Sequence, residues 1–404
     1  YTLSLHDALP IYDMNFDFEL NLPYTLVSGE NSSDLVGEKT KNYGEKALLI
    51  MDPFFKGGPV AEKIIGSLKN AGVEVVEFYD VVPNPRNTTI DRAADLARQN
   101  QCKAVVAVGG GSTIDTAKAV ALVAHYGGKC WEYTERLGEE VKRPDKPGLP
   151  LIAVTTTAGT GSEVTPYAVI NNPEVREKNS ISNPAIYART VIIDPVLMLN
   201  MPRKTTALTG IDAFCHCFES YLHTGSTFWS EMLSLQGMKV FAENIRECCF
   251  NGQNLEARTK MAWANTLGGM AIAVSGCTIP HAIGQPVGAM TDAAHGATLA
   301  ACYPAILRWT LPVAQDKFAI TAEILDPSVK NLSEKEKAER LPEICENLFE
   351  ELVGEKLTFG GFGLKEDEID PLADLIIKCF TWNLEFHPKV PSKEEIICLI
   401  KESM

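Results

Sequence analysis

A chain of 404 residues, 45% of them hydrophobic and 22% charged, can bury a full core and is long enough for two domains. Its formal net charge of −15 speaks against nucleic acid or an anionic membrane as partner, because either would call for a basic face, and leaves small solutes. Eleven cysteines without framework spacing, Cys215/Cys217 and Cys248-Cys249 among them, and the lack of an apolar run of about eighteen residues or of a basic-then-apolar leader describe a soluble, cytoplasmic protein with reduced thiols.

Residues 1–12 show neither a clear period nor a helix cap and are set aside as a non-native leader, His6 included. The expected division is an α/β domain over 13–200 and an all-helical domain over 201–404. Tyr24 to Gly29 alternates like an edge strand, and Lys46 to Asp52 is an apolar run of buried parallel-strand type. Helical period over Val60 to Lys69, a strand over Val73 to Tyr79, a helix over Thr89 to Asn100, a strand over Lys103 to Val108 and a helix over Ser112 to Ala124 follow in turn. Such alternation predicts a doubly wound parallel sheet, whose ligands sit at the carboxyl ends of the strands.

Four stretches fall at those ends. Asp52 closes the first buried strand, where a carboxylate can accept bonds from an adenosine ribose and repel an added phosphate; before Pro53 it also suits a plain turn. Asn84 stands between Pro83 and Pro85, a loop signal by itself. In Gly109-Gly110-Gly111-Ser112-Thr113-Ile114-Asp115 the glycines let backbone approach a phosphate and the opening helix favours its charge, although the same triplet makes an ordinary turn with Ser112 as cap. Thr155 to Thr165, containing Thr156, Thr157 and Thr160, is dense in small hydroxyls that can bond ribose or phosphate oxygens without bulk.

Val191 to Pro195 is the last strand signal, and from Arg203 the patterns turn helical: Ala207 to Tyr221, Phe228 to Asn244, Leu255 to Ile272 and Thr298 to Leu307. Lys330 to Arg340 reads as a solvated loop and helix face, and Ser392 as the cap of a final helix. Asp212 and His216 lie four apart and so share one helical face, a spacing that allows chelation and also arises by chance. His281 and His295 follow, fourteen residues apart across a Pro- and Gly-rich stretch. One carboxylate and three imidazoles suit a catalytic divalent ion with a position left open for substrate. His223 and His387 have no comparable pattern and read as surface residues.

The Gly-Ile-Asp with His216 four beyond it, the pair His281-Ala282 and His295-Gly296, Gly109-Gly110-Gly111-Ser112 with Asp115 and Lys118, Pro83-Asn84-Pro85 and the Thr156-to-Glu163 block together resemble the iron-containing (group III) alcohol dehydrogenases, from about Phe16 to the last residue. That resemblance implies Asp212, His216, His281 and His295 as metal ligands, and Gly109, Gly110, Gly111, Ser112 and Asp115 as a pyrophosphate loop. It also implies cofactor contacts at Asn84, Thr156, Thr157, Thr160 and, from a weak local pattern, Lys178. Asp at position 52 is typical of members that use NAD rather than NADP. The chain departs from the family at Gln285, where most members carry a histidine. The implied activity is hydride transfer between a small primary alcohol or diol and NAD, with Fe2+ as the ion, Zn2+ as a substitute, and a homodimer or higher homo-oligomer as the assembly. Three alternatives carry the same motifs less well: a zinc polyol dehydrogenase, a dehydroquinate-synthase-type lyase, which needs more Arg and Lys near the histidines, and a catalytically silent assembly protein, which has no need of intact ligands.

Overall fold

The computed structural model describes residues 15–136 and 138–404; the proposed leader at 1–12 lies outside them. Thr25–Ser28 forms β1, followed by a short helix α1 (Val36–Lys41), β2 (Lys46–Met51), α2 (Pro59–Asn70), β3 (Glu74–Phe78), α3 (Asn87–Gln99), β4 (Ala104–Gly109) and α4 (Gly111–Tyr126). Then come β5 (Leu151–Thr155), a hairpin of β6 (Tyr167–Asn172) and β7 (Glu177–Ser182), and β8 (Thr190–Ile193). The six-stranded sheet runs β1-β8-β5-β4-β2-β3, with every pairing parallel.

Side chains alternate across β2 as a strand's two-residue period requires. Ala47, Leu49 and Met51 pack with Ala61, Ile64 and Leu68 of α2 on one face. Leu48 and Ile50 pack with Ile90 and Ala93 of α3 and Val120 of α4 on the other. Burial on both faces explains why the strand reads as an unbroken apolar run, each large side chain contributing roughly 1.5–3 kcal/mol. Because β2 pairs with β3 on one side and β4 on the other, the chain reverses direction across the sheet between β2 and β4. The carboxyl ends there, Asp52 after β2 and Gly109 to Gly111 after β4, flank the crevice in which such sheets bind ligands.

The sequence expectation lacked the β6–β7 hairpin, an antiparallel pair from Tyr167↔Ser182 to Asn172↔Glu177. Its Asn, Glu, Lys and Ser residues are poor strand formers, and the pairing rests on tertiary contact rather than propensity.

The helical half comprises α5 (Arg203–Leu222), α6 (Phe228–Phe250), α7 (Leu255–Val274), α8 (Ile279–Thr291), α9 (His295–Thr310), α10 (Gln315–Leu325), α11 (Glu334–Val353), α12 (Ile369–Cys379), α13 (Thr381–Glu385) and α14 (Lys393–Glu402). Every residue of α5 from Gly210 to Leu222 is buried, so its carboxylates and imidazole need internal partners. Ser392 caps α14 in a capping box, as expected. No single helix among the described residues is long and apolar enough to cross a membrane; α7 and α8 reach that length only as a pair bent by 106°. All eleven cysteines are free thiols.

Candidate metal centre and cofactor cleft

Three helices converge on one point. The four-residue spacing on α5 puts Asp212 and His216 on one face, α8 supplies His281 from its first turn, and α9 begins with His295 after a left-handed residue, Asp292 (φ 56°), ends α8. Asp212 Oδ1 lies 3.6 Å from Nε2 of each of His216, His281 and His295, and the Nε2 atoms of His216 and His281 are 3.0 Å apart. Ligands about 2.1 Å from a tetrahedral ion would stand about 3.4 Å from one another, so these separations bracket a coordination shell.

The second ring nitrogens are already engaged. Nδ1–H of His216 donates to Gly159 O at 3.2 Å, and Nδ1–H of His281 donates to Glu219 Oε1 at 2.7 Å, which directs both Nε2 atoms inward. Glu219 also accepts from Thr278 N at 2.8 Å, tying the start of α8 to α5. Burial pushes the His216 imidazole down and that of His295 down to about 3, so both stay neutral. Burial alone would also lower His281, yet Cys277, Glu219 and Asp212 around it raise it, so an entering cation displaces a proton there. Asp212, although burial opposes its charge, is held near 2 by the imidazoles. Its Oδ1 is buried without a hydrogen-bond donor. A carboxylate oxygen left unmet amid three converging nitrogens fits a divalent cation, and this donor set of nitrogen and oxygen suits iron(II) or zinc.

The metal residues line a cavity of about 550 Å3 that reaches the sheet, where Asn84, Gly111, Ser112, Asp115, Thr160 and Lys178 also line it. Gln285, one turn beyond His281, faces the same space with Oε1 buried and unpartnered. Asp52, Gly109, Gly110, Thr156 and Thr157 are not among its lining residues. Asp52 instead caps the short turn at Pro53–Phe55, accepting from Phe54 N at 2.9 Å through one oxygen. Gly110, not Ser112, is the cap residue of α4, and Ser112 turns to the cavity. A Cβ on Gly111 would come within 2.5 Å of Thr160 Cγ2, so only glycine lets the two loops meet.

Several polar residues of these motifs spend their bonds within the protein, Asp115 at the cavity wall among them. Asp115 accepts from Ser162 Oγ and from Val169 N at 3.0 Å. Lys118, fully buried, donates to Ser162 Oγ at 3.0 Å, Thr165 Oγ1 at 3.2 Å and Tyr167 O at 2.6 Å. In the hydroxyl loop, Gly161 (φ +59°) takes a left-handed turn against Gly269, and its N–H donates to Asn265 Oδ1 at 2.7 Å. Glu163 accepts from Asn265 and Thr266 of the same helix, α7. This loop therefore fastens the sheet to α7 as well as presenting Thr160.

One expectation is corrected. His223 and His387 are buried, not surface residues: His223 stacks on Phe386 at the cavity wall and His387 bonds Thr310 Oγ1 at 2.9 Å. A lysine in the unpromising run Glu177-Lys178-Asn179 would ordinarily be solvated, yet Lys178 is 7% exposed and donates to Asn84 Oδ1 at 2.9 Å. Sequence reasoning assigned no role to Glu219, although it lies three residues after His216 on the same face. It also missed Cys277, whose thiol, with His216 and His281, forms a second cluster of ligand type. Asp292, which accepts from Asn84 Nδ2 at 3.2 Å, was likewise missed, because nothing local distinguishes it.

A parallel sheet facing a buried cluster of carboxylate and imidazoles, with one cavity between them, is the arrangement of a metal-assisted oxidoreductase. Residues 23–195 match the family described as iron-containing alcohol dehydrogenase, and residues 206–404 match the C-terminal part of the Fe-containing alcohol dehydrogenase family. The NAD-dependent methanol dehydrogenase of Bacillus methanolicus is 32% identical over 95% of this chain and 99% of its own length. The 1,3-propanediol dehydrogenase of Klebsiella pneumoniae is 31% identical over 96% and 98%. Among solved structures, an archaeal alcohol dehydrogenase from a Red Sea brine pool superposes with a TM-score of 0.91 at 29% identity, covering 97% of this chain and 100% of that one. The chain belongs to the iron-containing alcohol dehydrogenase family and is an alcohol dehydrogenase. Neither the lyase nor the silent-assembly alternative is favoured by these relatives.

Proposed function

We propose that the protein interconverts a small primary alcohol or diol and its aldehyde with NAD, through Fe2+ held by Asp212, His216, His281 and His295, with Zn2+ able to take the same place. The observation that carries this reading is the unmet Asp212 Oδ1 among three inward-turned Nε2 atoms, in a cavity that continues to Ser112 and Lys178. Bound there, the ion supplies Lewis acidity to an alcohol or carbonyl oxygen, and the dinucleotide takes or gives the hydride. Glu219 and Gly159 fix the imidazoles' orientation, Gly111 and Ser112 offer the helix start for the pyrophosphate, and Trp382, Phe386 and Ile272 wall the cavity beyond the histidines.

The division at about residue 200, a cytoplasmic location and a homodimer or higher homo-oligomer belong to the same reading. So does the choice of NAD over NADP, which rests on the second oxygen of Asp52 at the switch point between β2 and β4. Repulsion between that carboxylate and a phosphate would be worth on the order of 1 to 4 kcal/mol at a partly exposed site.

The test is steady-state turnover of metal-reconstituted wild type and Asp52→Gly on short alcohols and diols with each cofactor. Wild type should prefer NAD, and the variant should gain at least about fivefold with NADP. A wild-type preference for NADP, or no gain in the variant, overturns the cofactor assignment; inactivity with every alcohol and with either cofactor overturns the substrate class.

A further inference from the structure

Alcohol oxidation releases a proton as well as a hydride, and most groups around the cavity are not free to take it. Asp212, His216, His281 and His295 are committed to the ion in the reading above. Gln285 carries an amide, which does not exchange a proton near neutral pH. Burial holds the Cys277 thiol up and that of Cys379 up to about 11, and pushes His223 down to about 4, where it is a poor acid. Glu135 is paired with both terminal nitrogens of Arg143 at 2.8 and 2.6 Å, and Asp115 is taken up by Ser162 and Val169.

Two buried lysines remain, and their surroundings differ. Lys118 has an oxygen acceptor for each of its three protons and does not line the cavity. Lys178 lines it, and Asn84 Oδ1 is its single acceptor among the described residues, none of whose carboxylates lies within ion-pair distance of Nζ. Losing a proton would strip Lys118 of a needed bond, whereas Lys178 keeps its bond to Asn84 as a neutral amine with a lone pair free.

We propose that Lys178 is the proton-exchanging residue of this site, an inference that rests on the alcohol dehydrogenase reading above. In oxidation the alcohol O–H bond breaks and its proton goes to the Nζ lone pair, directly or through water in the cavity. The C–H bond breaks with its electron pair, which reduces the nicotinamide while the carbon is oxidised to a carbonyl, and Nζ returns its proton to solvent. Reduction runs the same steps backward, with the Nζ ammonium supplying the proton to the carbonyl oxygen.

The electrostatics agree with this role. Burial drives Lys178 down to about 8, against Asp115 on α4, Asp212 on α5 and Asp292 at the end of α8, which all pull it up. His295 on α9 faces the same group but is neutral, being held down at about 3 by burial. Cys379 of α12 is an uncharged thiol, and Glu177 of β7 is paired with Lys378 at 2.8 Å. Because the neutral amine is the acceptor, alcohol oxidation should rise as pH rises through about 8, and aldehyde reduction should fall over the same interval.

The test compares wild type with Lys178→Arg and Lys178→Gln, each checked for metal content and cofactor binding. One readout is the pH profile of kcat. The other is the pH dependence of acetic anhydride labelling at Lys178 in resting protein, with and without metal, read by mass spectrometry. The proposal expects a labelling midpoint near 8 and a kcat lower by about 10²-fold to 10⁴-fold in both variants. It also expects loss of the inflection near 8, and partial recovery of Lys178→Gln with added primary amines. Arginine keeps the charge and the bond to Asn84 but cannot release a proton, so its failure separates proton exchange from cofactor positioning. Lys178→Arg within a few-fold of wild-type kcat, or an inflection that persists in both variants, overturns the proposal. A labelling midpoint near that of an ordinary lysine does the same. A wild type inert on every alcohol overturns the functional reading instead, and is told apart because labelling does not depend on turnover.

Discussion

At the metal centre, Asp212, His216, His281 and His295 turn their free atoms toward a common point and leave one oxygen unmet, whereas at the β4–α4 turn Asp115 and Lys118 meet partners in the protein at nearly every polar atom. Both stretches are dense in polar side chains in the sequence. The first has the arrangement that the proposed ion would need. The second uses side chains to brace a loop whose backbone and small hydroxyls are offered to the cavity. A residue's membership in a motif therefore does not tell which of these it does; the count of satisfied donors and acceptors does.

The largest effect should come from breaking the converging set. If a site of this kind binds its ion with roughly 10–16 kcal/mol, one ligand of four accounts for on the order of 3–4 kcal/mol, or about 10²-fold to 10³-fold in affinity. His281→Ala should lose the ion on dialysis and fall in activity with it, as metal analysis beside turnover would reveal. Glu219→Gln keeps all four ligands but offers His281 Nδ1 a weaker partner, and should weaken metal binding by about 10-fold to 100-fold. Full metal occupancy in His281→Ala would remove that residue from the set.

The bracing role of Lys118 gives the opposite signature. Removing its charge in Lys118→Met leaves Asp115 with Lys178 as its remaining nearby cation and takes a donor from three oxygens, which should cost about 3 kcal/mol of stability. The midpoint of denaturant unfolding would fall while metal content holds. Were Lys118 instead a phosphate ligand, stability would be kept and dinucleotide affinity alone would fall.

This contrast also explains what the sequence revealed. Strand and helix order was legible from β2 through α4 because burial on both faces writes long apolar runs, whereas the proposed metal set was named from the family resemblance, with only Asp212 and His216 at helical spacing. The hairpin β6–β7 was not, since Glu177 to Ser182 has strand geometry without strand composition. His223 was misread, and Lys178 had only a weak local pattern behind it, for a related reason: their burial is set by residues far along the chain, Phe386 and Asn84, which no local pattern reports. Lys118 sat inside a recognised motif, yet only the structure separates it from a phosphate ligand.

The smallest expected effect, and the sharpest on the division between ligand-facing and bracing residues, concerns Gln285. Its Oε1 is buried, unpartnered and turned into the cavity one turn after His281, so it belongs by position to the ligand-facing group while lacking any proton to exchange. Gln285→His would place an imidazole, ordinarily near pKa 6.5, beside a site whose other proton acceptor titrates at about 8. At pH 7 only about a tenth of such a lysine is neutral, against most of the imidazole, so alcohol oxidation should rise by a few-fold and at most about tenfold. Its inflection should move toward neutrality, and at pH 9, where both groups are largely deprotonated, the gain should vanish. Metal content should stay at the wild-type level, because all four ligands remain. An unchanged pH profile with intact metal would show that position 285 only walls the cavity, and that a proton acceptor one turn from His281 has no access to the reacting oxygen.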